Sequence, residues 1–273
     1  MDCYSYKVIN KSERPVLSNV DVVLILTMED SNRFNEDPFL LNLAKKTIIQ
    51  YNKGFKKCNK PSTIISSKQD IVHAYYTAFE YLKNYNNVII LEDDALVVNK
   101  DILIYDKIDK FIATTNFNIF TFGSFALFSN YNEDFLKLDH YYFGSAQAII
   151  YSCNARSKLI EDISLSNFNK GDIDNTYIGN LTNKFTYKYP LIVQLFPKTE
   201  NQNSWFSNVF ILYSVRLIIA ILKLDTNTHG WFLYYSIFRN YILIVKSLLL
   251  LLIIISTFYF NIYNVKLVKT NIV

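Results

Sequence analysis

The sequence predicts an α/β domain on a mainly parallel central sheet, followed by apolar C-terminal helices associated with a membrane. Three observations carry this expectation. Strand-like and helix-like apolar patterns alternate along the N-terminal region, the order expected of parallel strands joined by right-handed crossovers. The strand runs are continuously apolar, as strands covered on both faces are. Near the C-terminus the chain reads SLLLLLIIISTFYFNIY, without a single charge.

NVDVVLILT (residues 19–27) reads as a buried strand. PFLLNLAKKTIIQY (38–51) has helical spacing, with Asp37 as its N-cap and Pro38 in the first turn. STIIS (62–66) is expected to be a short strand. QDIVHAYYTAFEYLKNY (69–85) is expected to be a helix whose apolar face is Ile71, Ala74, Tyr75, Ala78 and Leu82. VIIL (88–91) is the next strand. A composition shift near Trp205 divides the chain into a domain over residues 1–204 and a membrane-associated region over 205–273. Within the latter, residues 241–263 form a mostly apolar span whose one charge is Lys246, and a helix needs roughly 20 such residues to span a bilayer. The stretch 206–224 contains Arg216 and Lys223, so it is a poorer spanning candidate and is read as lying in the interface plane. Its rivals are a helical hairpin with the tail or closure of the soluble domain. Trp205 and Trp231 bracket it as interfacial aromatics do.

Composition excludes several classes. Of 273 residues 28 are basic and 24 acidic, with no Lys/Arg block of the kind nucleic-acid binding uses. Only 6 Gly and 5 Pro occur, against a disordered or linker-rich chain. Cys3, Cys58 and Cys153 are few and scattered, so no disulfide framework is expected and a reducing compartment is favoured. No cleavable signal peptide is visible. Together these give the expectation of a tail-anchored protein with its domain in the cytosol. Asn10 and Asn180 sit in glycosylation triplets, a frequent coincidence in an Asn-rich chain.

The informative motif is NNVIILEDDALVV (residues 86–98), where Glu92, Asp93 and Asp94 directly follow an apolar strand. Ligands on sheets with parallel strands bind at the carboxyl ends of those strands. Three adjacent carboxylates raise one another's ionisation cost unless a cation joins them. Mg²⁺ or Mn²⁺ held by one or two carboxylates and by substrate phosphates meets that need. A diphosphate leaving group would then develop its charge beside the metal. The rival reading is a solvated, inert strand terminus.

The arrangement VHAYYTAFEYLKNYNNVIILEDDALV resembles the core of the family 25 glycosyltransferases, a family that includes lipooligosaccharide and collagen galactosyltransferases. FNIFTFGS, HYYFGSAQAIIYSCNARSKLIEDI, GDIDNTYIGN and YPLIVQLFP follow in matching order. The similarity runs from about residue 20 to residue 204. Where the family has Gly-Cys-x-x-Ser-His, this chain reads Lys68 to His73 and keeps only the His.

The resemblance implies a GT-A fold, a UDP-sugar donor, a Mn²⁺ or Mg²⁺ cofactor and inverting transfer of a hexose, galactose or glucose, to a hydroxyl acceptor on a glycan, lipid or protein. It assigns Asp94 as a metal ligand, Asp93 as a metal ligand or ribose contact, and Glu92 as a supporting group. Asp172 and Asp174 are candidate general bases, against the rival that Asp174 caps the following helix. His73 is a catalytic candidate against a structural role. Thr27 is placed to meet uracil or ribose and Arg33 to pair with phosphate, with a solvated loop as the rival. Gly144 and Ser145 are candidates for close backbone approach to donor or acceptor, an ordinary turn being the rival. Two further functions stay open: a catalytically inactive transferase fold used as a scaffold, and a sugar-nucleotide nucleotidyltransferase. The latter usually has a Gly-rich phosphate loop, which residues 27–33 lack.

Overall fold

The computed structural model describes residues 3–34, 36–131, 134–144, 146–196 and 209–238, together with Ser247 and Leu251. Its centre is a sheet in which β2 (Val22–Met28) lies between β3 (Lys46–Asn52) and β4 (Val88–Glu92), all three parallel. Their inward residues divide cleanly by parity. Leu24, Ile48 and Ile90 face one core, while Val23, Ile49 and Ile89 face the other, which is why these strands read as unbroken apolar runs. On the first face pack α2 (Ser67–Tyr81) and α4 (Cys153–Leu165). On the second pack α1 (Pro38–Leu41) and α3 (Ile102–Thr114).

The expectation of a mainly parallel sheet is corrected. Among the described residues the sheet has nine strands in the order β1-β3-β2-β4-β9-β6-β10-β8-β7. The added strands are β1 (Tyr4–Lys11), β6 (Ile119–Thr121), β7 (Phe125–Tyr131), β8 (Phe135–Gly144), β9 (Ala148–Tyr151) and β10 (Lys184–Tyr187). Five of its eight pairings are antiparallel, because β1, β9 and the β7–β8 hairpin run against their neighbours. A separate antiparallel pair joins β5 (Leu96–Val97) to β11 (Ile192–Val193).

The helix expected over residues 38–51 is also corrected. Asp37 does cap it, accepting from the Phe39 amide at 2.8 Å, but the helix stops at Asn42. The following KTIIQYN pairs with both β1 and β2, and its β-branched Thr47, Ile48 and Ile49 suit that place. Residues 62–66 are a turn rather than a strand, and Ser66 caps α2 by accepting from Gln69 N. Cys3 and Cys58 are joined in a disulfide, Cα atoms 5.6 Å apart, where none was expected.

The membrane expectation is corrected too. Among the described residues no helix is long and apolar enough to cross a membrane. The expected span over 241–263 lies outside the described residues apart from Ser247 and Leu251, and Trp205 lies outside them as well. The two C-terminal helices that are described, α5 (Val209–Leu222) and α6 (His229–Phe238), have 14 and 10 residues. They feed the first core through Ile219, Leu222, Trp231, Tyr234 and Tyr235. Trp231 is fully buried and donates its indole N–H to Gln194 O at 3.0 Å, so it is a core residue and not an interfacial one.

Candidate functional site

The carboxyl ends of β2, β3 and β4 open into a cleft against the first half of α2. The register across the three strands is direct, with Leu26 paired to Gln50 on one side and to Glu92 on the other. The cleft spans about 410 Å³ counting its solvent-open mouth. Its lining residues all fall between Leu26 and Asp93 in the sequence.

The acid triplet stands at one end of this cleft, and its three members differ in environment. Asp93 is 5% exposed and fully partnered. Its Oδ2 accepts from the Thr27 hydroxyl at 2.9 Å and the Ser31 hydroxyl at 2.6 Å, and its Oδ1 pairs with Arg33 at 2.8 Å. Glu92 accepts from the buried Tyr75 hydroxyl at 3.0 Å. Burial, then the charges of Asp94 and Asp174, push its carboxyl up to about 8. Asp94 is raised by burial, against the opposing Arg33 guanidinium 3.6 Å from its Oδ2. Its other oxygen, Oδ1, is buried without a hydrogen-bond partner. A carboxylate oxygen in that state costs free energy that a cation or donor would recover.

The other expected site residues separate into those the fold gathers and those it does not. Thr27 and Arg33 belong to the cleft, but both are engaged with Asp93. Asp174 lies in a π-helical turn (Ile173–Ile178) and is near enough for its charge to raise Glu92. Asp172, not Asp174, is the cap of that turn, accepting from Asn175 N at 2.7 Å and Thr176 N at 3.3 Å. His73 points toward β1, its Nδ1 2.7 Å from the Tyr4 hydroxyl, and does not line the cleft. Burial, then the Lys60 charge, hold its ring down at about 4. Gly144 ends β8 opposite Phe125, in an ordinary strand pairing. Ser145 lies outside the described residues.

Four contributors escaped the sequence reading: Ser31, Gln50, Asn52 and Tyr75. Gln50 and Asn52 carried a usable signal, two amides at alternate positions closing the otherwise apolar run of β3. Beneath Asn52 lies a buried polar network. Lys60, its side chain 1% exposed, pairs with Asp70 and donates to Asn52 Oδ1 at 2.7 Å and the Tyr4 hydroxyl at 2.8 Å.

Among the described residues no three His, Cys, Asp or Glu side chains form a preassembled metal site. Mg²⁺ and Mn²⁺ do not demand one, since one or two carboxylates and substrate phosphates suffice. The unpartnered Oδ1 of Asp94, beside Glu92, supplies hard oxygen of that kind, so the residues fit the ion.

No protein-family model matches the chain, and no curated protein matches it. Among solved structures, the crystal structure of A197 from STIV is similar over 61% of this chain and 81% of its own, at 12% identity and a TM-score of 0.36. A likeness of that strength carries no argument about fold or function.

Proposed function

We propose that the protein transfers a hexose from a nucleoside-diphosphate sugar, UDP-galactose or UDP-glucose, to a hydroxyl acceptor. The observation that carries this reading is the unpartnered, buried Oδ1 of Asp94 at the carboxyl end of a parallel strand, beside an open cleft. Asp94, with Glu92, would hold the metal. When bound, the metal supplies neutralisation of the charge that grows on the departing diphosphate. Arg33, over half exposed at the cleft mouth, would exchange its carboxylate partners for a phosphate, with which its planar fork makes paired hydrogen bonds. Asp174, whose charge acts on Glu92, would take the acceptor's proton. Asp172 is engaged in capping, and His73 acts through Tyr4 in holding β1 to α2.

The test incubates the full chain with a panel of UDP-sugars, with Mn²⁺ or EDTA, and follows UDP release beside Asp94→Asn. Slow, metal-dependent release from one donor, absent in the variant, is expected. No release from any donor with a folded protein overturns the reading. The full chain is required because Trp231 and Tyr235 belong to the core.

A second reading, a nucleotide-binding module without turnover, is favoured by one observation. Thr27, Ser31 and Arg33 already satisfy both oxygens of Asp93 without a metal. Donor binding without turnover would select it.

A further inference from the structure

Gln50 has no role in the chemistry above, yet it is a buried polar side chain in the wall of the cleft. It is 1% exposed in the middle of β3, on the face covered by α2. Its Nε2 donates to Ala74 O at 3.0 Å. That bond fixes the amide, since the reversed orientation would set two acceptors against each other. Oε1 is therefore an acceptor, buried and without a partner. The amide of the neighbouring Asn52 is spent, donating to Asp70 and accepting from Lys60 and the Gly54 amide.

Four of the residues that line the cleft with Gln50 are apolar. Leu26 and Met28 contribute from β2, and Ile71 and Ala74 from α2. A planar heterocycle suits such walls, with apolar faces and a polar edge. A carbohydrate would press hydroxyls on the same walls with nothing to receive them. Gln50 and Glu92 flank Leu26 on adjacent strands, so their backbones stand about 10 Å apart, from strand spacing. Gln50 and Glu92 thus stand on opposite sides of Leu26 in the wall of one cleft.

We infer that this slot is a nucleobase subsite in which Gln50 Oε1 accepts a hydrogen bond from a ring N–H, the imide of a uracil-type base. The inference rests on the transfer reading and names the part of the donor that Gln50 reads. Cytosine carries a lone pair at the same ring position and would face Oε1 with a second acceptor.

Calorimetry on the full chain with Mn²⁺ would compare uridine 5′-diphosphate, its 3-methyl derivative and cytidine 5′-diphosphate. The parent is expected to bind at least about tenfold more tightly than either analogue, the value of one satisfied buried hydrogen bond. In Gln50→Leu, checked for folding by circular dichroism, binding of the parent should weaken about tenfold and the preference should collapse. Equal binding of the parent and its 3-methyl derivative by the unaltered protein overturns the inference, whatever the variant does. A preference that survives in folded Gln50→Leu also overturns it. Sugar release without the base preference removes this inference alone. The base preference without release removes the transfer reading alone, and no nucleotide binding removes both.

Discussion

Arg33 Nη2 lies 2.8 Å from Asp93 Oδ1 and Nη1 lies 3.6 Å from Asp94 Oδ2, so one guanidinium bridges two adjacent carboxylates at the mouth of the cleft. Asp93 is almost fully enclosed while Arg33 is more than half exposed. The cation is thus the solvent-facing partner of an enclosed anion.

Arg33→Gln should therefore leave Asp93 under-compensated. A loss of about 2 kcal/mol at neutral pH is expected, typical of a hydrogen bond to a charged group. Millimolar Mn²⁺ should restore much of it by taking the vacated charge position. Urea titrations with and without the ion check this. An unchanged midpoint in the variant refutes it.

The Lys60–Asp70 pair is enclosed, with side chains 1% and 8% exposed. Asp70→Ala strands the ammonium and should cost about 3–5 kcal/mol. Replacing both partners, as Lys60→Met with Asp70→Leu, should cost much less than Asp70→Ala alone. A double-mutant cycle by denaturant unfolding measures the difference.

His73 faces Tyr4 of β1, Lys60 of the loop between β3 and α2, and Asp70 on its own helix. Its folded value of about 4 lies below the ordinary 6.5, so the unfolded chain binds the proton first. Its neutral form supports stability fully above about pH 6.5, and that contribution is lost as pH falls toward 4. Solvent screening of a partly exposed ring reduces the loss to about 1–2 kcal/mol. Unfolding free energies at pH 7 and pH 4.5 should differ less in His73→Gln than in the unaltered chain.

Trp231→Ala should cost about 3–5 kcal/mol, the range for removing a large buried aromatic side chain. The indole packs edge-on to Phe125, rings 5.4 Å apart, and its N–H is satisfied by Gln194 O. Were Trp231 a surface aromatic, thermal unfolding would barely shift.

The parts of the fold that could be read from the sequence were those governed by local pattern. The apolar runs of β2 and β4, the apolar face of α2 with Ala74, Tyr75, Ala78 and Leu82 buried, and the start of α1 at Asp37 and Pro38 were all legible. β3 was not, because Leu40, Leu41 and Leu43 continue a helical spacing into a segment claimed by two strands. β1 carried a period-two signal in Tyr4, Tyr6 and Val8, too polar overall to stand out. The antiparallel half depends on pairings between distant segments, such as Ile90 with Ile149, which no local window reveals. At the site, the acid triplet announced itself. The deep partners Tyr75 and Ser31 did not, since a single Tyr or Ser has no signature until the fold places it. The Cys3–Cys58 bond escaped for the same reason, its ends 55 positions apart in the sequence.

Every residue lining the cleft lies within one short, continuous stretch from Leu26 to Asp93. On the proposed reading, the choice of nucleobase would be inscribed in this one cassette, while Asp94 and Asp174 outside it would serve the chemistry. Exchanging that cassette between related chains should transplant recognition in one cut, provided the seam at β4 still meets Ala148 and Ile149 of β9. On that reading, selection on the base bound would act on one quarter of the gene at a time.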